Sequence, residues 1–147
     1  MSVVKILKSF RNVAMVGVSA NPEKPSYIVF RYLTACGYNV IPVNPTIGEV
    51  QGKKCYASLS AIPEKVEVVD IFRKSEDIPP IVEEAIKIGA KAVWMQEGIV
   101  NKAAAKKAEL AGLLVVMDKC MRKEHMRMNE DGVQYKGLSR QGRIDNR

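Results

Sequence analysis

The stretch Gly17-Val18-Ser19-Ala20-Asn21-Pro22 closes an apolar run and turns polar. A glycine at the tip of a buried strand lets backbone come close to a ligand. Ser19 and Asn21 carry hydrogen-bonding groups, and a helix starting just after them would offer free N–H groups and a partial positive charge to an anion. The stretch is neither a Walker loop, since no Gly-Lys-Ser/Thr follows, nor a GxGxxG turn. An ordinary strand-to-helix turn reads the same way, so other loops have to decide.

Three further stretches bear on that decision. Phe72-Arg73-Lys74 pairs an aromatic ring with two cations, a combination suited to a phosphate beside an adenine ring. A solvated strand end has the same composition. Gln96-Glu97-Gly98 offers polar contacts to an extended ligand arm, with Gly98 allowing close approach. Val43-Asn44-Pro45 stands where a nicotinamide-binding sheet would place an acid for the ribose hydroxyls, and no carboxylate is there. That lowers NAD(P) and leaves phosphate-rich nucleotides. Cys120 and His125 together invite a thiol nucleophile, but five residues apart on what reads as irregular backbone they lack an orienting third group. No catalytic residue is assigned. With one histidine and three cysteines in no CxxC spacing, no metal site or disulfide framework is expected either.

The elements that must position these loops alternate. Val13–Val18, Asn39–Val43, Val66–Phe72, Lys91–Met95 and Leu113–Met117 read as strands, with a short edge strand near Lys53–Tyr56. Between them, Ile28, Val29, Tyr32, Leu33 and Cys36 recur at helical spacing behind a candidate cap, Ser26, and stop at Gly37. Asp77 is a candidate cap for a helix opening on Pro79-Pro80 and ending at Gly89, and Asn101–Ala111 is an alanine-rich helix ended by Gly112. The strands are continuous apolar runs, as in a parallel sheet covered on both faces. The expectation is a doubly wound α/β fold with a mainly parallel sheet of five to six strands. Ligands of such sheets lie where the strand order reverses, here between the tips of Val13–Val18 and Val66–Phe72.

At 147 residues the chain suits one domain, 1–147, with a core over about 10–125 and a basic C-terminal extension, 126–147, expected to wrap the surface or fray. No apolar run has the length of a membrane helix and no signal-peptide pattern opens the sequence, so a cytoplasmic location is expected. The net charge of +7 is spread out and suits an anionic ligand. Charge alone is the whole case for nucleic acid. A homodimer or an unidentified protein partner stays open.

The segments VGVSANPEKPS, GYNVIPVNP, VDIFRKSEDIP, KAVWMQEGIVN and GLLVVMDKCMRKEH, taken in this order, resemble the small stand-alone CoA-binding proteins. That Rossmann-like family is similar to the N-terminal CoA-binding domain of the succinyl-CoA synthetase α subunit. The resemblance spans Asn12 to roughly Met128 and implies a nucleotide ligand, coenzyme A or an acyl-CoA. It implies that Gly17, Val18, Ser19, Ala20, Asn21 and Pro22 hold the diphosphate and that Asn44 and Pro45 flank the nucleotide. It further implies that Phe72, Arg73 and Lys74 wall the adenosine and its 3′-phosphate, and that Gln96, Glu97 and Gly98 follow the pantetheine arm. Many relatives carry a lysine after VNP where this chain has Thr46 and Ile47; Lys24 and Lys53 are the candidate replacements. The histidine-bearing ligase domain of the synthetase has no counterpart in 147 residues, so a carrier, sensor or regulatory module without chemistry of its own is expected. An acyl-CoA transferase or thioesterase using Cys120 or His125, and an NAD(P)-binding redox sensor, are the alternatives.

Overall fold

The computed structural model describes the backbone of residues 2–136 and the side chains of residues 2–130. Its main sheet has five parallel strands: β1 (Asn12–Val16), β2 (Asn39–Val43), β5 (Val68–Ile71), β6 (Ala92–Met95) and β7 (Leu114–Val116), in the order β2-β1-β5-β6-β7. A two-stranded hairpin, β3 (Glu49–Val50) and β4 (Lys53–Lys54), leads to a single parallel bridge between Tyr56 and Val43 at the β2 edge. This is a Rossmann-like, doubly wound α/β fold. β2 spans its expected run, whereas β1, β5, β6 and β7 are a little shorter than theirs, because terminal residues of those runs turn into the loops.

Helices α1 (Ser2–Ser9), α2 (Pro25–Ala35) and α5 (Met121–Lys136) cover one face, where Ile6, Phe30, Leu33, Trp94 and Met121 are buried together. Helices α3 (Ile78–Lys87) and α4 (Lys102–Leu110) cover the other, over Ala14, Ile41, Val69, Val93 and Met95. Alternate residues of each strand therefore feed opposite cores, as the unbroken apolar runs require. Pro42 keeps perfect register opposite Met15. Its carbonyl accepts from Tyr56 N–H, so its missing donor faces the outer edge of β2 and leaves the β1 ladder intact. Among the described residues no helix is long and apolar enough to cross a membrane.

Several local expectations are corrected. Ser26 does not cap α2: the cap position is Lys24, no side chain caps the first turn, and Ser26 Oγ instead accepts from Ser19 N–H at 2.9 Å. Asp77 occupies the cap position of α3 without capping it, because its carboxylate is turned to Arg73. Asn101, by contrast, caps α4 through Ala104 N–H. The sequence reading had no element for α1. It also expected irregular backbone over Cys120–His125, where α5 in fact begins at Met121 and carries through 126–136. Residues 137–147 of the expected extension lie outside the described residues.

The chain runs from β1 outward to β2, then back across to β5. The strand order thus reverses between β1 and β5, whose following helices lie on opposite faces. Phe72 N–H donates to the Val16 carbonyl at 2.8 Å, drawing the two strand tips together. Gly17, at φ +88°, lies so close that a Cβ there would sit 2.6 Å from the Phe72 carbonyl oxygen. Gly17→Ala therefore meets backbone and an unfavourable φ at once, and should cost about 3 kcal/mol, roughly 10 °C in Tm by thermal unfolding.

Candidate functional site

The loops at the carboxyl ends of the strands fall into two laced groups. On the β1–β2 side, Asn44 Nδ2 donates to the Val18 carbonyl at 2.9 Å, and its Oδ1 accepts from Thr46 N–H and Oγ1. Asn44 thus spends its amide on binding the two loops together. Within the first loop Ser19 Oγ accepts from Asn21 N–H, and Asn21 Oδ1 accepts from Glu23 N–H. On the β5–β6–β7 side, Ser75 Oγ donates to the Val100 carbonyl, and Asn101 Nδ2 donates to the Ser75 carbonyl. Gly98 N–H donates to Asp118 Oδ1 at 2.7 Å, and Lys123 pairs with Glu97. Gly98 at φ +85° and Asp118 at φ +59° both take the left-handed backbone that this exchange demands. At the strand tips, among the described residues, no side-chain hydrogen bond joins one group to the other.

The gap between them is a cavity of about 310 Å³. Val16, Val43, Leu59 and Ile81 form its apolar walls, and Gly17, Pro45 and Arg73 stand at its rim. Glu84, on the α3 side, accepts from Ser60 N–H. Arg73 Nη2 lies 2.9 Å from Asp77 Oδ2, with both side chains partly exposed. Such an exposed pair is worth only about 0.2–1 kcal/mol, so a phosphate can draw the guanidinium away at small cost.

The sequence-predicted residues divide by position. Gly17, Pro45 and Arg73 meet at the cavity, and Lys74 is exposed just beyond it. Val18 is buried, Phe72 packs half-buried against the α2 face, and Ala20, Asn21 and Pro22 are exposed in the first loop. Of the two candidate lysines, Lys53 Nζ donates to the Val40 carbonyl at 2.6 Å and to Asn39, at the far end of β2, so it is spent there and cannot replace a phosphate contact. Lys24 stands exposed at the start of α2. There the first-turn N–H groups lack a side-chain cap, whereas α3 opens on Ile78-Pro79-Pro80, with two residues lacking N–H groups, and α4 is capped by Asn101. α2 itself opens on Pro25 and α3 is likewise without a side-chain cap, so α2 keeps one more first-turn N–H than α3, with Lys24 beside it.

Gln96 lies differently from its expected open position. It is 3% exposed, and its Nε2 donates to Asp70 Oδ1 at 2.6 Å. Asp70 is wholly buried in β5, with Met15 and Trp94 opposite it on the neighbouring strands, and its Oδ2 has no partner among the described residues. Burial pushes its carboxyl up to about 7, against the opposing pull of the Gln96 hydrogen bond. The sequence reading missed Asp70, since one acid inside an apolar strand has no local mark. Asp118 was missed as a loop anchor because its partner, Gly98, lies 20 residues away on the neighbouring loop. His125 is 7% exposed beneath α2: its Nδ1 shares a 2.7 Å hydrogen bond with the Tyr32 hydroxyl, and Tyr32 and Tyr38 meet its ring edge-on. Burial, then the Arg11 guanidinium, lowers its basicity. Cys120 is half-buried against the same core.

A family model described as a CoA binding domain matches residues 11–126. The chain belongs to that family. YneT of Bacillus subtilis, an uncharacterized protein, is 37% identical over 121 residues, 82% of this chain and 90% of YneT. The solved structure of a hypothetical protein from Pyrococcus horikoshii OT3 is 47% identical and superposes with a TM-score of 0.84, covering 86% of this chain and 89% of that one. The α subunit of ADP-forming acetate–CoA ligase I from Pyrococcus furiosus is 34% identical over 89 residues, 56% of this chain and 19% of that subunit. The CoA-binding family match covers all four loops described above, from Gly17 to Asp118.

Asp70 gives the site a pH signature. The folded chain keeps a proton up to about pH 7 that the unfolded chain releases near pH 4, so the resulting stability is complete in acid and is lost as pH rises to 7. Between pH 5 and 7.5, urea unfolding should show the native chain losing about 2–3 kcal/mol more than Asp70→Asn.

Proposed function

We propose that the chain binds coenzyme A or an acyl-CoA across the strand-tip crevice and performs no reaction of its own, acting as a carrier, sensor or regulatory module. The observation that carries this reading is the strand-tip cavity at the β1–β5 switch point, with Gly17, Pro45 and Arg73 at its rim, in a chain of the CoA-binding domain family; the first loop leads on from Gly17 to Lys24 and an α2 start without a side-chain cap. Coenzyme A brings about four negative charges on its diphosphate and 3′-phosphate. Free helix N–H groups and two cations suit that charge.

In this reading Gly17, Val18, Ser19, Ala20, Asn21 and Pro22 wrap the diphosphate, and Asn44 and Pro45 hold the nucleotide's flank. Phe72, Arg73 and Lys74 receive the adenosine end. The arm then crosses the tips of β5 and β6 along Gln96, Glu97 and Gly98. The absence of a strand-two acid counts against a nicotinamide cofactor. His125, buried and engaged by Tyr32, is unavailable as a base for Cys120, which favours binding without catalysis.

Coenzyme A at 100 times its dissociation constant should stabilise the fold by about 2.7 kcal/mol, raising Tm by roughly 5–10 °C. Absence of both a thermal shift and calorimetric heat at millimolar coenzyme A rules the reading out. Arg73→Glu should weaken coenzyme A more than tenfold with Tm of the free protein nearly unchanged. Lys24→Glu should weaken it severalfold, by a margin that shrinks as salt is added. Unchanged titration curves would remove those side chains from the site.

A further inference from the structure

Among the described residues, the buried side-chain atoms without a hydrogen-bond partner are Asp70 Oδ2 and Arg122 Nε. Arg122 is half-buried on α5 with its guanidinium reaching Met126. Asp70 is the more demanding case. Its carboxyl is fully enclosed one residue before the end of β5, and its single partner, Gln96, is the first residue beyond β6, at the foot of the Gln96–Gly98 loop.

No charge balances Asp70. Met15 and Trp94 flank it in register on β1 and β6. Of the titratable groups that α2 and α5 turn toward this core, Tyr32 and His125 face each other, and Arg122 acts on Tyr32. Asp70 responds to burial and to Gln96 alone. A buried oxygen without a partner is far less costly as a neutral carboxyl than as a carboxylate. Gln96 opposes that preference, because its N–H donation favours the ionised form.

Gln96 thus has two claims on its carboxamide. Inside, it steadies Asp70. Just above, the loop it begins is the one that would meet the amide-bearing arm of the ligand. Resting on the proposed function, we propose that Gln96 is a latch worked by the ligand: when the arm engages the loop, the carboxamide leaves Asp70 for an amide of the arm, and Asp70 takes up a proton from solvent on Oδ2. Binding and protonation then favour each other, as any two linked equilibria must. The exchange asks only the Gln96 side chain to turn: its backbone stays held by the Ile71 carbonyl and the Ile99 N–H, and the side-chain anchors of the loop, Gly98 to Asp118 and Glu97 to Lys123, are exposed and separate from it.

The test is calorimetry of coenzyme A binding at pH 7.5 in two buffers of different ionisation enthalpy, using the native chain, Asp70→Asn and Gln96→Leu. The native chain should take up between about 0.3 and 0.8 proton per site beyond the amount seen with either variant. Its affinity should rise about two- to sixfold for each pH unit of acidification relative to Asp70→Asn. Both variants should still bind: Asp70→Asn has no proton to gain, and Gln96→Leu has already released the carboxyl to its neutral form. Equal uptake in the native chain and in whichever variant folds overturns the latch while leaving coenzyme A binding intact. Binding by none of them overturns the function and the latch together.

Discussion

The contact of Gly17 with the Phe72 backbone is the constraint on which the site depends. A doubly wound sheet has one place where successive crossovers leave on opposite faces, and here that place is the β1–β5 pair. The strands there must stay in register up to their tips, yet the chains leaving them must part at once, one toward α2 and the other toward α3. A side chain at position 17 would wedge the tips apart. Without one, the Phe72 amide reaches Val16, and the crevice opens immediately above a closed ladder. The cavity thus follows from the topology, at a point where the backbone leaves no room for a Cβ.

Around this point the polar side chains of the loops are mostly spent on one another. Asn44 binds the first two loops, Ser75 and Asn101 bind the next pair, and Asp118 holds Gly98. Each group becomes a stiff rim, and among the described residues no side-chain hydrogen bond joins the strand-tip loops of the two groups, while Glu84 on α3 holds Ser60 at the cavity. What is left for a ligand includes the N–H groups at the start of α2, Lys24, and an Arg73 held only by an exposed carboxylate, while Glu76 and Glu84 bring negative charge to the lining of the cavity. A rim built this way meets an anion with little reorganisation, the main route by which a fixed site gains affinity.

The buried Asp70–Gln96 pair runs against that economy. Apolar residues at both positions would pack between the same strands without leaving an orphaned oxygen. The pair lies at the ends of β5 and β6, so a buried oxygen without a partner adjoins the loop that leaves β6. Elsewhere on that face Tyr38 donates to the Leu7 carbonyl and Trp94 Nε1 donates to the Lys119 carbonyl, which leaves Arg122 Nε as the other unpaired buried side-chain atom among the described residues.

The amino-acid sequence determined the architecture, because its strand signals are local. Continuous apolar runs, periodic helices and glycine stops at Gly37, Gly89 and Gly112 each act within a few residues, and together they imply a parallel sheet with its crevice at the switch point. It could not assign partners. Ser26 and Asp77 have the chemistry of helix caps, but the Ser19 amide and Arg73 reach them first. Helix α5 has a weak pattern of its own and draws its stability from Met121 in the core and from His125 against Tyr32 and Tyr38. Asp70 and Gln96 are 26 residues apart and meet only across two adjacent strands. Tertiary structure decided these matters because a hydrogen bond's partner depends on distance in space, whereas secondary-structure signals depend on distance along the chain.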